Sequence, residues 1–143
     1  MRAKLAHVCF ESSDLEATEA FYRVLGLERR FDFRNLQGEL VGFYLAFDNT
    51  SFIEVIKTPR PKPTGLIKHF AIEVDDIDAA YERLSQAGVE VTPKEYSKDF
   101  LWMISCTDPN GIFIELQQYT EKSMQRVGGI CEVDYTPGAR EVR

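Results

Sequence analysis

The sequence predicts an α+β fold of two tandem βαβββ modules, and three observations lead to this prediction. One pattern occurs twice, because the segment that begins at His7 matches the segment that begins at His69 after a shift of 62 positions. In each copy, an amphipathic helical stripe and then three strand-like segments follow the opening segment. A proline-rich stretch at residues 58–66 separates the copies and favours an extended linker.

The bulk composition is typical of one folded domain. The chain has 143 residues, of which 44% are hydrophobic and 28% are charged. Each copy is too small to bury a secure core alone, so we expect the copies to pack on each other or on a partner chain. We predict one domain at 1–120 and a C-terminal tail at 121–143. Within the domain, module 1 covers about 5–57, a linker covers 58–66 and module 2 covers about 67–119.

Charge and cysteine usage limit the possible partners. The net charge of −6 and the pI of about 5.0 argue against nucleic-acid binding, since phosphate recognition needs a basic surface. The chain has no long apolar run, which argues against a membrane span or a secretion signal. Three scattered cysteines, Cys9, Cys106 and Cys131, favour reduced thiols. We therefore expect a cytoplasmic protein that acts on a small molecule.

The first module is predicted to contain a strand, a helix and three further strands. The first strand covers about residues 5–10, and Ser13 with Glu16 three residues later has the spacing of a capping box. A helical stripe runs from Leu15 to Leu25, and Gly26 occupies the position of a left-handed cap. Turn-type residue pairs separate the following strands, which are predicted at 28–35, 40–47 and 51–57.

The second module repeats this order. A strand at 67–74 precedes a helix that Asp75 or Asp76 caps and Gly88 ends. The predicted buried face of this helix consists of Ile77, Ala80, Tyr81 and Leu84. Strands follow at 89–91, extended as far as residue 96, and at 101–107 and 112–119. A type I turn is predicted at 108–111 and a short helix at 121–127.

Two histidines and two glutamates recur at matching positions of the copies. His7 corresponds to His69, and Glu54 to Glu115 at a shift of 61, each glutamate lying inside an otherwise apolar strand. Taken singly, a strand histidine is more often a hydrogen-bonded core residue, and a strand glutamate usually faces solvent. Their joint recurrence favours a divalent-metal site, because imidazole and carboxylate are ligands of such ions. Whether the halves meet so that all four converge stays open.

Three motifs carry a resemblance to a known family. They are Phe-Tyr-Arg-Val-Leu-Gly-Leu at 21–27, Ala-Gly-Val at 87–89, and Asp-Pro-Asn-Gly at 108–111 with Ile-Glu-Leu at 114–116. Over residues 5–119 the chain resembles the vicinal oxygen chelate superfamily, which includes glyoxalase I, bleomycin-resistance proteins and extradiol dioxygenases. The resemblance implies two βαβββ modules whose sheets form a half-open β-barrel around a metal ion.

The resemblance also implies a ligand set and a reaction. The family's ligand positions correspond to His7, Glu54, His69 and Glu115, and bacterial nickel- or cobalt-type glyoxalase I enzymes have His, Glu, His and Glu in that order. This implies a lyase or isomerase that uses nickel, cobalt, zinc or manganese and moves a proton on a small bidentate carbonyl substrate. Glu115 or Glu54 is expected to serve as both ligand and base. Glu11 replaces an arginine that holds glutathione in glyoxalase I, which puts glutathione use in question.

Two alternatives come from the same family. An iron-dependent extradiol dioxygenase would use His7, His69 and Glu115, but Glu54 would then occupy a position that its substrates need. A metal-free protein that sequesters a drug or metabolite is the second alternative. A homodimer is the default expectation, and the four ligands lie either within one chain or across two chains.

Overall fold

Each module folds as a strand, a helix and three strands, which confirms the predicted α+β fold. The structure is a computed structural model that describes residue 5 and residues 7–60, 69–128 and 130–131. Module 1 contains β1 (His7–Ser12), α1 (Leu15–Val24), β2 (Glu28–Arg34), β3 (Leu40–Ala46) and β4 (Phe52–Lys57). Module 2 contains β5 (Phe70–Glu73), α2 (Ile77–Gln86), β6 (Glu95–Tyr96), β7 (Leu101–Thr107) and β8 (Phe113–Tyr119), and a short α3 (Met124–Val127) follows.

Each module forms one mixed four-stranded sheet. The strand orders are β1-β4-β3-β2 and β5-β8-β7-β6, so the first strand of each module lies at an edge and pairs in parallel with the last strand. The other neighbours are antiparallel. No strand pairing joins the two sheets among the described residues, so the described strands form two separate sheets and not a closed barrel.

The two modules share one hydrophobic core. It joins Tyr22 of α1 and Val55 of β4 to Leu116 of β8, all with no exposed surface. The Tyr22 hydroxyl donates to Asp108 Oδ2 at 3.1 Å, and the side-chain amide of Asn110 donates to the hydroxyl of Thr18 at 2.9 Å. These bonds connect helix α1 of module 1 to the β7–β8 turn of module 2. The core therefore occupies the face of each sheet that carries the helices.

Helix α1 begins at Leu15, as the helical stripe indicated, but its N-cap lies one residue later than predicted. Its N-cap is Asp14, whose carboxylate accepts the backbone N–H of Ala17 at 3.0 Å, so the prediction of Ser13 as cap is wrong. Asp76, which is Asp14 shifted by 62 positions, caps α2 in the same way. Gly26 and Gly88 follow the two helices with φ of +86° and +78°, as the predicted left-handed caps require.

Module 2 departs from the prediction at two places, and the tail departs at one. Only Glu95–Tyr96 forms a strand in the predicted 89–96 segment, and Val91 makes an isolated bridge to Cys106. Pro93 explains this, because it has no N–H to continue the ladder. Tyr81 is 39% exposed, so the buried face of α2 excludes it. The last helix covers Met124–Val127 rather than the whole of 121–127.

Parts of four predictions lie outside the described residues. They are residue 6 of the strand predicted at 5–10, the linker at 61–66, residues 67–68 of the strand predicted at 67–74, and the tail at residue 129 and from residue 132 onwards. No described helix has the length and apolar character that crossing a membrane requires.

Candidate metal centre

The parallel strand pair of module 1 brings the first histidine and glutamate together. His7 is paired with Phe52 across β1 and β4, so Glu54, two residues further along β4, lies on the same face of the sheet. The imidazole Nε2 of His7 lies 3.1 Å from Oε2 of Glu54. Strand pairing therefore converts a separation of 47 positions in the sequence into direct contact.

Module 2 builds the same arrangement from β5 and β8. Phe70 is paired with Ile114, so His69 precedes β5 beside Phe113, and Glu115 lies two residues further along the same face. Nε2 of His69 lies 3.6 Å from Oε1 of Glu115. The sequence repeat therefore has a structural counterpart in two equivalent His–Glu pairs.

Both pairs lie on the sheet faces that point away from the shared core. The side chains of His7 and His69 are 39% and 42% exposed, and those of Glu54 and Glu115 are 20% and 18% exposed. The apolar neighbours of each glutamate in its strand are buried in the core because side chains alternate between faces. This alternation explains how a carboxylate occupies an otherwise apolar strand without entering the apolar interior.

The four predicted ligands form two pairs and do not converge on one point within this chain. Among the described residues, no three histidine, cysteine, aspartate or glutamate side chains lie close enough together to hold a metal ion. The described chain thus provides two donors at each of two places.

The donor atoms of each pair fit half of a divalent-metal site. Ligands that bind one cation at about 2.1 Å lie roughly 3.0 to 3.4 Å apart in octahedral or tetrahedral geometry. The observed separations of 3.1 Å and 3.6 Å are close to that range. Imidazole nitrogen with carboxylate oxygen is also a donor set that suits zinc, nickel, cobalt and manganese.

Sequence reasoning missed a third side chain beside the first pair. Tyr44 of β3 is the register partner of Glu54, and its hydroxyl donates to Glu54 Oε2 at 3.0 Å. The same hydroxyl lies 3.3 Å from Nδ1 of His7. Desolvation, the hydrogen bond to Glu54 and the charge of that carboxylate raise the pKa of Tyr44. The sequence predicted the turn between β3 and β4, but the register that places Tyr44, ten positions before Glu54, directly opposite it is seen only in the structure.

The surroundings of the two pairs differ in polarity. Around Tyr44 lie the rings of Phe31, Phe33 and Phe52, with centroid distances of 4.5, 5.7 and 5.8 Å. In module 2, Ser105 is the register partner of Glu115, and its hydroxyl bonds to the hydroxyl of Thr92 at 3.1 Å. Gln117 Nε2 donates to Glu115 at 3.0 Å. One half of the candidate site is therefore aromatic and the other half is polar.

The fold consists of two βαβββ modules on a common core, and each module carries a His–Glu pair on its outer sheet face. A duplicated module with potential metal-chelating side chains in each copy is the class of protein that these features define. The chain belongs to the Glyoxalase/Bleomycin resistance protein/Dioxygenase superfamily, whose family model matches residues 4–116. This match confirms the family resemblance that the sequence motifs indicated.

Individual relatives agree with this family assignment. The chain is 33% identical over 135 residues to an ethylmalonyl-CoA/methylmalonyl-CoA epimerase of Cereibacter sphaeroides, with 82% of this chain and 99% of that protein covered. A glyoxalase family protein of Enterococcus faecalis has a TM-score of 0.67 at 23% identity, over 80% of this chain and 96% of that chain. TnmS3, an antibiotic-binding protein from a Streptomyces species, has a TM-score of 0.68 at 22% identity, over 83% and 98%. The two solved structures are similar to this chain in fold.

Proposed function

We propose that this protein is a divalent-metal-dependent isomerase or lyase of the glyoxalase type, which moves a proton on a carbon next to a chelating carbonyl. The observation that carries the proposal is the twin His–Glu pair, because the same two donors meet in both modules at 3.1 Å and 3.6 Å. The relative that is 33% identical is named as an epimerase, and epimerisation next to a thioester is a proton-transfer reaction.

We further propose that the complete site forms between two copies of the chain. One pair supplies two donors, whereas protein metal sites generally use three or four protein ligands. Both pairs are partly exposed, and their sheet faces are the ones that the intramolecular core leaves uncovered. In a homodimer, His7 and Glu54 of one protomer would face the partner's His69 and the partner's Glu115, and twofold symmetry would produce two such sites.

The chemistry of this donor set favours a substrate with two neighbouring oxygens. The two carboxylates offset a charge of +2 and leave coordination positions open for a bidentate ligand. A divalent cation held there would supply Lewis-acid chemistry that acidifies the C–H next to a bound carbonyl. A 2-substituted malonyl thioester, which carries a carboxylate and a thioester carbonyl on one carbon, fits this requirement. We propose this substrate class, and the name of the epimerase relative supports it.

The glutamates are the groups that would move the proton. Glu54 and Glu115 lie in different sheets, so in the proposed dimer they approach a bound substrate from opposite walls. One carboxylate removes the proton from one face of the carbon and becomes a carboxylic acid; the other glutamate, which takes up a proton from solvent, returns a proton to the opposite face and becomes a carboxylate again. This sequence inverts the carbon centre, whereas removal and return by a single glutamate at adjacent carbons would give a glyoxalase-type isomerisation.

The test combines metal binding with proton exchange. Purified protein is assayed for metal content, and loss of the C2 proton of methylmalonyl-CoA into deuterated water is followed by NMR with nickel, cobalt, zinc or manganese. We expect His69→Ala to lose both metal binding and exchange while its circular dichroism stays unchanged. Glu115→Gln is expected to retain some metal but to lose exchange. Glu95→Gln, a change at an exposed strand glutamate, is the matched control and should behave as wild type.

Two results would overturn the proposal. Iron content together with oxygen consumption on catechols would identify an extradiol dioxygenase. Absence of any divalent ion, with no thermal shift when these ions are added, would identify a metal-free binding protein.

A further inference from the structure

We propose that Arg126 of α3 binds the phosphate-bearing end of a coenzyme A thioester and so contributes to substrate selection. The inference rests on the proposed function for the place of the thioester, but affinity for free coenzyme A is measurable without metal and without turnover. Arg126 lies beyond residue 116, where the match to the family model ends, so this contact would be a feature of the chain's own C-terminal segment.

Arg126 lies over the sheet face that carries the second His–Glu pair. Its Cζ atom is 5.9 Å from the centre of the Tyr119 ring, and its Nη2 is 3.7 Å from Oε1 of Glu73. Side chains two or four residues apart in a strand share a face, so Tyr119 lies on the face of Glu115, and Glu73 lies on the face of His69. The guanidinium group is therefore a cation on the same wall as the proposed metal ligands.

Hydrogen bonds to the turn between β6 and β7 hold α3 in place. The backbone N–H of Met124 donates to the carbonyl of Asp99 at 3.0 Å. The hydroxyls of Thr120 and Ser123 both donate to the carbonyl of Phe100, at 2.7 and 2.8 Å. Ser123 has no exposed surface, and Phe100 has a left-handed φ of +65°, which is uncommon for a residue other than glycine. Helix α3 is thus fixed to the β6–β7 hairpin, and its side chains have a defined point of attachment.

The contact between Arg126 and Glu73 is one that a stronger anion can replace. Both side chains are about half exposed, and an exposed ion pair contributes little stability. A phosphate group accepts two parallel N–H bonds from a guanidinium group, which makes it a stronger partner than a carboxylate oxygen at 3.7 Å. We therefore expect a phosphate ligand to displace Glu73 from Arg126.

The distance from the metal ligands matches the length of the pantetheine arm that separates a thioester from its phosphates. Tyr119 is four residues beyond Glu115 along β8, which corresponds to about 13 Å at a rise of about 3.3 Å per residue. The pantetheine arm contains two amide units, and its extended length from the sulfur to the phosphate ester corresponds to about four residues of chain, or roughly 14 Å. A thioester bound beside Glu115 would therefore bring its diphosphate to the level of Arg126.

The same end of the sheet offers a second cation and an exposed aromatic ring. The β6–β7 turn lies at this end because Leu101 is paired with Tyr119. Lys98 and Phe100 of this turn line a pocket of about 410 Å³, and Phe100 is 44% exposed. An exposed aromatic ring can stack on a nucleotide base, and a neighbouring cation attracts its phosphates. The net charge of −6 opposes the approach of an anionic substrate elsewhere on the chain, which makes a local cationic surface important for its binding.

The first test compares two thioesters that differ only in the phosphate-bearing end. Methylmalonyl-CoA and methylmalonyl-pantetheine carry the same reacting group and the same arm, but only the first carries phosphates. Arg126→Gln should raise the KM for proton exchange on the CoA thioester about 10-fold, as expected for the loss of one charge-assisted hydrogen bond, and should leave kcat unchanged. The KM for the pantetheine thioester should stay the same. Glu73→Gln removes the competing carboxylate and should lower the KM for the CoA thioester.

Affinity for free coenzyme A gives a measurement that does not depend on the reaction. Calorimetric titration of metal-free protein should show about 10-fold weaker binding to Arg126→Gln and a smaller loss for Lys98→Gln. Arg23→Gln is the matched control, because Arg23 is also exposed and paired with a glutamate, Glu19, at 2.9 Å, but lies on α1 at the opposite sheet face. This control should change neither measurement. Circular dichroism verifies that the variants are folded.

The outcomes separate this inference from the proposed function. Unchanged coenzyme A affinity in folded Arg126→Gln would overturn the inference, whatever the effect of Lys98→Gln. Equal KM increases for both thioesters would also overturn it, because they would indicate contact with the malonyl group. A wild-type protein that binds coenzyme A through Arg126 but exchanges no proton would support the inference and refute the proposed function. A wild-type protein that exchanges the proton equally well on both thioesters, and has no measurable affinity for coenzyme A, would support the function and refute the inference.

Discussion

Two inactive variants are expected to restore each other's activity when they are mixed. His7→Ala lacks a ligand in module 1, and His69→Ala lacks a ligand in module 2. If each site combines module 1 of one protomer with module 2 of its partner, a heterodimer of the two variants has one site with both histidines missing and one site with both intact. If instead all four ligands belonged to one chain, every site in the mixture would lack a histidine.

The magnitude follows from the symmetry of the dimer. Random exchange of equal amounts of the two variants yields roughly half heterodimers, and each heterodimer has one intact site out of two. The mixture should therefore regain about a quarter of the wild-type activity and bound metal. The structure favours this result because the two His–Glu pairs lie on sheet faces outside the shared core, and in the described chain no third histidine, cysteine, aspartate or glutamate joins either pair to hold a metal ion.

The assay measures proton exchange and metal content before and after the variants are unfolded and refolded together. Native mass spectrometry measures the fraction of heterodimers. A mixture of His7→Ala with Glu54→Ala is the matched control: both changes affect the same half-site, so no intact site forms and activity stays absent. If heterodimers form from His7→Ala and His69→Ala but activity and metal binding do not return, the reasoning for a shared site is refuted.

Three further predictions concern the fold. Tyr22→Phe removes the buried hydrogen bond to Asp108 and should lower the free energy of unfolding by about 1–2 kcal/mol in urea titrations, with a single transition retained since the modules share one core; no loss, or two separate transitions, would contradict this. Asp14→Ala should destabilise by about 1 kcal/mol, and Ser13→Ala should change stability little; equal losses would contradict Asp14 as the cap. Burial, followed by the charge of Asp108, raises the pKa of Cys106 from 9.0 to about 11. The neutral thiol therefore makes its full contribution to the free energy of unfolding below pH 9.0, and that contribution is lost as pH rises through about 11. Urea midpoints measured across that interval should fall, and a constant midpoint would contradict the assignment.

The repeat made much of the fold predictable from the sequence. A shift of 62 positions relates Asp14 to Asp76, the two observed helix caps, so the choice between Asp75 and Asp76 was already contained in the repeat. Local rules also located the turns, since Gly26 and Gly88 adopt the positive φ that was expected of them. Pro93 interrupted a predicted strand for an equally local reason, the missing N–H.

The arrangement of the candidate site depended on contacts that a single sequence does not reveal. Tyr44 reaches Glu54 through the register of the β3–β4 hairpin, which depends on where the turn closes. The separation of the two His–Glu pairs depends on how the modules pack, and that packing uses long-range contacts such as Tyr22 with Asp108. Periodicity identifies the face of a strand that a residue occupies, but it contains no information about which distant surface that face will meet.

The two modules differ in the residue that lies opposite the glutamate, and this difference affects how each carboxylate is held. The duplication retained the histidine and the glutamate in both halves, yet the register partner of the glutamate is Tyr44 in one half and Ser105 in the other. Tyr44 restrains its glutamate through an aromatic cluster, whereas Glu115 is bonded to the side chain of Gln117. Both glutamates are proposed to move a proton, which needs freedom to reorient, and the carboxylate that Tyr44 holds has less of this freedom than the one that Gln117 holds. We therefore expect Glu115→Gln to reduce the rate of proton exchange more than it reduces metal affinity. Glu54→Gln should reduce metal affinity at least as strongly as it reduces the exchange rate. Metal titrations and exchange assays on both variants measure this, and the opposite ranking would contradict the difference between the two glutamates.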